Sequence, residues 1–143
     1  MARDRAHARR LLITFVAFIA LMFGAGATQA YASGADGHDT GKIQVCKKLQ
    51  GPGDHLKFDF TVRKDGHEVA KFSLKKNECR TVEVKQGKYT VTEYVPKNCE
   101  LVKIEIDGSG RYSLKDATAW VEVEKDKTVK VTFFDKCKRD DCR

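Results

Sequence analysis

Three ionisable residues stand where the sequence otherwise places apolar side chains. Lys47, Glu93 and Asp135 lie in the alternating segments KIQVCKKL, GKYTVTEYV and VKVTFFD, respectively. Because successive side chains of a strand point to opposite faces, each of these residues shares the face of its apolar neighbours. The pattern therefore predicts that one amine and two carboxyls point into the interior of the protein.

A buried amine beside two buried carboxyls can react as well as form ion pairs. Burial lowers the pKa of an amine and raises that of a carboxyl, so both groups can become neutral. A neutral amine is a nucleophile that can attack a neutral carboxyl, while a second carboxyl carries the protons. We therefore predict an amide between Lys47 and Asp135, formed with loss of water and assisted by Glu93. Each residue also lies near the end of its apolar run, where a charged side chain can reach water, and an ion-pair cluster is the alternative.

Short alternating runs separated by turn residues fill the chain after residue 41. Strand formers at this spacing, with Gly, Asn, Asp or Pro between them, indicate an all-β protein. We predict an antiparallel immunoglobulin-like or prealbumin-like β-sandwich of about seven to eight strands, whose first and last strands lie side by side. Predicted hairpin turns lie at Asp65-Gly66 and at 107–110, and residues 80–95 are predicted to form a further hairpin.

The first 32 residues have the organisation of a secretion signal. An Arg-rich start precedes the apolar run 11–23, and the sequence AYA ending at Ala32 fits a signal-peptidase site. We predict cleavage after Ala32, and the alternative is an uncleaved membrane anchor. The predicted organisation is a signal peptide (1–32), a flexible lead-in (33–41), a β-sandwich domain (42–136) and a polar, cysteine-containing tail (137–143).

The exported part carries a mild, mixed charge. Residues 1–32 contain four of the 27 basic and one of the 20 acidic residues, so 23 basic and 19 acidic residues remain, a net charge of +4. Lys alternates with Glu and Asp instead of forming a basic stripe, which argues against nucleic-acid binding. We expect a secreted protein, extracellular or loosely associated with the cell surface, without membrane contact after cleavage. Its expected partner is an extracellular protein or a cell-wall polymer.

All five cysteines fall in the exported part: Cys46, Cys79, Cys99, Cys137 and Cys142. Small exported domains commonly form disulfides, so we expect two bridges and one spare thiol, which is available to link two chains into a dimer. Spacing leaves fifteen pairings open. The preferred pair is Cys79 with Cys99, at the two ends of the predicted hairpin. Cys46 faces away from Lys47, which argues against pairing with Cys137.

Other site chemistries lack their residues. No C-x-x-C pair occurs, and His38, His55 and His67 stand alone in turns or polar positions, so we expect no metal site. No serine has a histidine partner suggested by position, which argues against a hydrolase triad. The segment GSG lacks the pattern of a phosphate-binding loop. We expect neither a cofactor nor turnover catalysis.

The three reactive residues lie in segments that resemble a known family. The strand GKYTVTE, the Lys-bearing strand IQVCKK and the last strand VKVTFFD are similar to collagen-adhesin B-type, or prealbumin-like, domains of Gram-positive surface proteins and pilins. The resemblance extends over residues 42–135. It implies an intramolecular isopeptide bond between Lys47 and Asp135, with Glu93 as the assisting acid. Asp in place of the commoner Asn, the abundant cysteines and the lack of an LPxTG-like sorting motif depart from the family pattern.

Taken together, the residues and the resemblance predict a secreted β-sandwich with a structural or adhesive role at the cell surface. An isopeptide bond and disulfides would stabilise it. The alternative is a disulfide-stapled binding or inhibitor module, in which the three inward charges form only an ion cluster.

Overall fold

The computed structural model describes residues 39–139. Within them, no helix is long and apolar enough to span a membrane. The described residues form nine strands: β1 (Thr40–Gln50), β2 (Phe58–Lys64), β3 (His67–Leu74), β4 (Cys79–Lys85), β5 (Gly87–Tyr94), β6 (Cys99–Asp107), β7 (Ser109–Ser113), β8 (Thr118–Val123) and β9 (Thr128–Cys137).

The strands form the two sheets of a β-sandwich, as predicted. One sheet has the order β4-β1-β9-β6 and the other the order β3-β2-β5-β8-β7. The count of nine exceeds the predicted seven to eight because the short β7 pairs with β8 as an edge strand. The prediction of a wholly antiparallel sandwich is wrong at one place, since the neighbouring strands β1 and β9 are parallel. A parallel pair needs a long crossover connection, and the seven intervening strands provide it.

The hydrophobic core lies between the sheets and is built from the alternate residues of each strand that point inward. Phe60 from β2 occupies its centre, with ring centroids 5.2 Å from Phe133 of the facing sheet and 5.8 Å from Phe72 of its own sheet. Phe60 and Phe133 are fully buried. Burying one such ring stabilises a fold by roughly 1.5–3 kcal/mol, so this contact between the sheets is a principal source of stability.

The predicted hairpin at Asp65-Gly66 is confirmed. These two residues have φ angles of 51° and 79°, and they join β2 to β3 in a ladder that continues to Lys64 and His67. Asp and Gly tolerate the positive φ angles that a two-residue hairpin loop requires. Local sequence therefore determines this connection.

The other two predicted hairpins are wrong. The strands β4 and β5 belong to different sheets, and so do β6 and β7, so the chain crosses the sandwich at each connection. Gly87 and Gly108 lie at these corners with φ angles of 143° and 130°, which L side chains rarely adopt. At these positions the turn residues therefore connect strands of different sheets, instead of two paired strands of the same sheet.

The folded region extends slightly beyond the predicted domain. The first strand begins at Thr40, two residues before the predicted start, and Cys137 ends β9 instead of opening the tail. The predicted signal peptide, its cleavage site and Cys142 lie outside the described residues.

Candidate covalent cross-link site

Neighbouring strands of the four-stranded sheet carry Lys47 and Asp135. In the β1–β9 ladder, Lys47 lies opposite Phe133, and Leu49 lies opposite Asp135, so the two ionisable residues share one face. Glu93 comes from β5 in the facing sheet. All three residues are near the carboxyl ends of their strands and meet between the sheets at one end of the sandwich.

The lysine amine contacts both carboxyls. Lys47 Nζ lies 2.5 Å from Glu93 Oε1, to which it donates a hydrogen bond, and 2.5 Å from Asp135 Oδ1. The contact with Asp135 lacks hydrogen-bond geometry. All three side chains are 0% exposed. The inward orientation predicted from strand parity is therefore confirmed, and none of the three side chains reaches water.

Phe58 covers the amine and was not identified from the sequence. Lys47 Nζ lies 4.0 Å from the centroid of the fully buried Phe58 ring. Glu93 lies opposite Phe60 in the β2–β5 ladder, so a second aromatic residue of β2 lies beside Glu93. The alternation FDF at the start of β2 places both rings on the inner face. The sequence contains no signal that Phe58 would contact Lys47.

Backbone hydrogen bonds from two turns hold Lys47 and Glu93 in place. The N–H of Lys47 donates to the carbonyl of Glu78 at 2.8 Å, and the N–H of Asn77 donates to the carbonyl of Lys47 at 2.9 Å. On the facing sheet, the N–H of Glu93 donates to the carbonyl of Ala117 at 2.9 Å. Asn77 and Ala117 have φ angles of 63° and 47°, which non-glycine residues seldom adopt. Each turn therefore holds a strained residue beside the site.

Burial dominates the electrostatics of the two carboxyls. Removal from water raises the pKa of Glu93 to about 7, and the nearby Asp135 adds to this effect while Lys47 opposes it. Removal from water likewise raises the pKa of Asp135, again against the effect of Lys47. A protonated carboxyl therefore forms at this site far more readily near neutral pH than it does in water.

Three carboxyl oxygens lack donors at the site. Within the described residues, no group donates a hydrogen bond to Asp135 Oδ1, Asp135 Oδ2 or Glu93 Oε2. A buried ionised carboxylate without donors costs more free energy than a neutral acid or an amide would. The surroundings of Asp135 thus favour a state in which its charge has been removed.

Four of the five cysteines form two disulfides. Cys46 pairs with Cys79 between β1 and β4, and Cys99 pairs with Cys137 between β6 and β9, each with a Cα–Cα distance of 4.0 Å. The preferred pairing of Cys79 with Cys99 is wrong, because these residues belong to opposite edge strands of one sheet and each faces another cysteine across its ladder. The expectation that Cys46 does not pair with Cys137 is confirmed.

A metal site in the described region would need several side chains that could bind the ion. Residues 39–139 contain no group of three or more His, Cys, Asp or Glu side chains placed to hold a metal ion.

Two solved structures share the fold. A bacterial adhesin from Mobiluncus mulieris that contains intramolecular disulfide, isopeptide and ester bond cross-links matches 69% of this chain with a TM-score of 0.54 and 20% identity. A cysteine-to-alanine variant of the pilus-presented adhesin Spy0125 (Cpa) matches 70% with a TM-score of 0.51 and 15% identity. The match spans 42% of the first protein and 28% of the second.

Comparisons by sequence add no relative. No protein-family model matches the chain, and no curated protein matches it. The resemblance predicted from the three strand segments is therefore confirmed at the level of the fold, which this chain shares with domains of pilus and surface adhesins.

Proposed function

We propose that this chain is a secreted structural or adhesive domain of the cell surface, locked by an isopeptide bond between Lys47 and Asp135. The observation that carries the proposal is the position of Lys47 Nζ, 2.5 Å from one carboxyl oxygen of each acid in a site closed to water. Glu93 is the assisting acid. The bond forms once in each molecule, so the chain is not a turnover enzyme.

The reaction starts from an ammonium, an ionised Glu93 and a protonated Asp135. Glu93 takes one proton from Nζ, and the neutral amine attacks Cγ of Asp135 to form the N–C bond. Glu93 then passes its proton to the oxygen that leaves Cγ and takes the second proton from Nζ. The C–O bond breaks and one water departs, which leaves a neutral amide and a protonated Glu93. The reaction requires no oxidant, metal or external nucleophile.

The position of the bond in the fold supports a structural role. It would join the first strand to the last, and these strands are parallel neighbours. Tension applied at residues 40 and 137 would pass through the amide, and the strands between β1 and β9 would carry little load. The fold shared with two adhesins, one of which contains isopeptide and disulfide cross-links, is consistent with this role. The leader-like residues 1–32 support export.

Peptide mapping tests the proposed bond. After reduction, alkylation and digestion, we expect one branched peptide in which Lys47 Nζ is joined to Cγ of Asp135. Lys48→Ala serves as the matched control, because Lys48 is exposed on the opposite face of β1. That variant should give the same branched linkage. Recovery of only linear peptides that contain Lys47 and Asp135 would exclude the bond.

We propose a binding surface for the adhesive role on the outer face of the five-stranded sheet. An open groove of about 600 Å³ lies there, with the guanidinium of Arg111 5.2 Å from the centre of the Trp120 ring. Arg63 lines the same groove. Within residues 39–139, neither arginine lies within 4.0 Å of a carboxylate. Lys88 adds a third cation to the groove, and Asp65 and Glu122 add two carboxylates, so cations are in excess by one. This excess and the aromatic ring favour an anionic polysaccharide as the ligand.

Binding of heparin, used as an anionic polysaccharide probe, tests this surface. We expect binding that weakens with salt and falls at least about tenfold in the double variant Arg63→Ala/Arg111→Ala, because two charge-assisted hydrogen-bonding groups are lost. Arg80→Ala removes an exposed arginine from the other sheet and should leave the affinity unchanged. Equal losses in both variants would indicate that only net charge matters, and the groove would be rejected.

A further inference from the structure

The geometry points to a positioning role for the Cys99–Cys137 disulfide: we propose that it closes the cross-link site, so that the Lys47–Asp135 bond forms rapidly only after this disulfide has formed. The inference rests on the proposed isopeptide bond. It assigns the two disulfides different roles: Cys99–Cys137 positions the reacting groups, and Cys46–Cys79 does not.

The Cys99–Cys137 disulfide lies on the inner face of the sheet, next to the reacting carboxyl. Cys137 follows Asp135 by two residues on β9, so their side chains share a face and their Cα atoms lie about 7 Å apart along the strand. Cys137 is buried and belongs to the hydrophobic core, against which Cys99 packs. The bridge thus extends the core past Asp135 toward the end of the sandwich.

The edge strand β6, which pairs with β9 beside Asp135, is irregular at this point. Leu101 of β6 lies opposite Asp135, but the β6–β9 register shifts between Leu101 and Lys103. A bulge disrupts the ladder locally, so the segment from residue 99 to 101 is separated from the regular part of β6. The disulfide at Cys99 fastens this short segment to β9. Without the bridge, this short segment would be held by its three-residue ladder with β9 and by the packing of Leu101 against the core.

An open groove lies directly outside this segment. It is lined by Glu93, Cys99, Leu101 and Leu114, among other residues, and charged groups at its rim are Glu100, Lys115 and Asp116. Water that entered from this groove would solvate the carboxyls and favour their ionised forms. Fastening of residues 99–101 therefore keeps the site dry and holds Asp135 beside the amine.

The Cys46–Cys79 disulfide provides a matched comparison. Cys46 is adjacent to Lys47 in sequence, but its side chain points to the opposite face and is not part of the core cluster. The β1–β4 ladder is regular from Thr40 to Cys46, and the backbone hydrogen bonds between Lys47 and the turn at 77–78 continue it. This end of β4 therefore stays attached to Lys47 without the bridge. The two bridges have similar sequence separations, 33 and 38, so they restrict the unfolded chain to a similar extent. A difference in the rate of bond formation between the variants that lack one or the other bridge would therefore reflect the position of the bridge relative to the site and not general stabilisation.

The test follows bond formation in time. The full chain is translated in vitro in an oxidising mixture, and aliquots are quenched in acid at fixed times. The chains are then reduced and alkylated, and mass spectrometry measures the fraction that has lost one water. We expect Cys99→Ser/Cys137→Ser to slow the loss of water at least about tenfold, because small misplacements of reacting atoms have large effects on rate. Cys46→Ser/Cys79→Ser should stay within about twofold of wild type. Circular dichroism verifies folding, and Cys99→Ala/Cys137→Val preserves the apolar volume if the serine variant does not fold.

The pH profile separates site closure from loss of stability. If the opened site admits water, the pH above which the reaction slows should shift from about 7 toward the ordinary pKa range of a carboxyl, and only in Cys99→Ser/Cys137→Ser. Equal rates in wild type and Cys99→Ser/Cys137→Ser, or equal slowing in both double variants, would overturn this inference. Wild-type chain that never loses water would instead overturn the proposed isopeptide bond.

Discussion

With both disulfides reduced, Lys47→Ala is expected to lower the free energy of unfolding by about 4 to 5 kcal/mol, the loop-closure contribution of a cross-link that spans about 90 residues. For a domain of this size, that loss corresponds to a decrease in Tm of about 20 °C. Thermal unfolding in reductant, followed by circular dichroism, measures the effect, because an amide between Lys47 and Asp135 survives conditions that break both disulfides. The loss should be smaller in the oxidised protein, where the two disulfides already shorten the loop that the amide closes.

Lys48→Ala is the control for this experiment. Lys48 is exposed, and its side-chain contact is a long hydrogen bond of 3.4 Å to Asn77, so its removal should change the free energy of unfolding by less than about 0.5 kcal/mol. If Lys47→Ala and Lys48→Ala melt at the same temperature as wild type, no cross-link stabilises the fold.

Glu93→Gln is expected to slow bond formation by about 10²- to 10⁴-fold, the usual contribution of a positioned acid–base group. Gln preserves the shape of the side chain but cannot carry protons from Lys47 to the departing oxygen. The measured quantity is the fraction of the chain that has lost one water at fixed times after synthesis. Glu100→Gln removes an exposed carboxyl from the rim of the same end and should not change the rate.

The same experiment has a defined pH dependence. The reactive cluster has no net charge and holds one carboxyl proton, which Glu93 and Asp135 share. Burial raises the pKa of both carboxyls, that of Glu93 to about 7, so the pair loses this proton as the pH rises above about 7. The rate should therefore be highest below about pH 7 and fall about tenfold for each pH unit above it. A rate that increases steadily with pH, as simple deprotonation of an exposed amine would produce, contradicts a proton-carrying role for Glu93.

Strand parity and local turn chemistry could be predicted from the sequence because both depend on neighbouring residues. Alternation identified Lys47, Glu93 and Asp135 as inward-facing, and the structure buries all three. The Asp65-Gly66 hairpin followed from the φ angles that these two residues accept.

Long-range pairing could not be predicted in the same way. The turn residues near Gly87 and Gly108 predict a change of direction, but which sheet the chain enters next depends on packing of the whole core. The error in the disulfides followed directly, because Cys79 and Cys99 were placed around a hairpin that does not form. Contact between Phe58 and Lys47 also depends on how two sheets face each other, and alternation within one strand cannot determine that.

The intact mass of the purified chain after complete reduction and alkylation tests the isopeptide bond between Lys47 and Asp135 most directly. Reduction opens both disulfides, so the remaining difference from the mass calculated for the purified sequence reports covalent changes that resist thiols. An isopeptide bond predicts a wild-type mass one water below the calculated value, and Lys47→Ala and Asp135→Ala should each show the full calculated mass. A wild-type chain with the full, unmodified mass would contradict the bond and leave Lys47, Glu93 and Asp135 as a buried ion cluster.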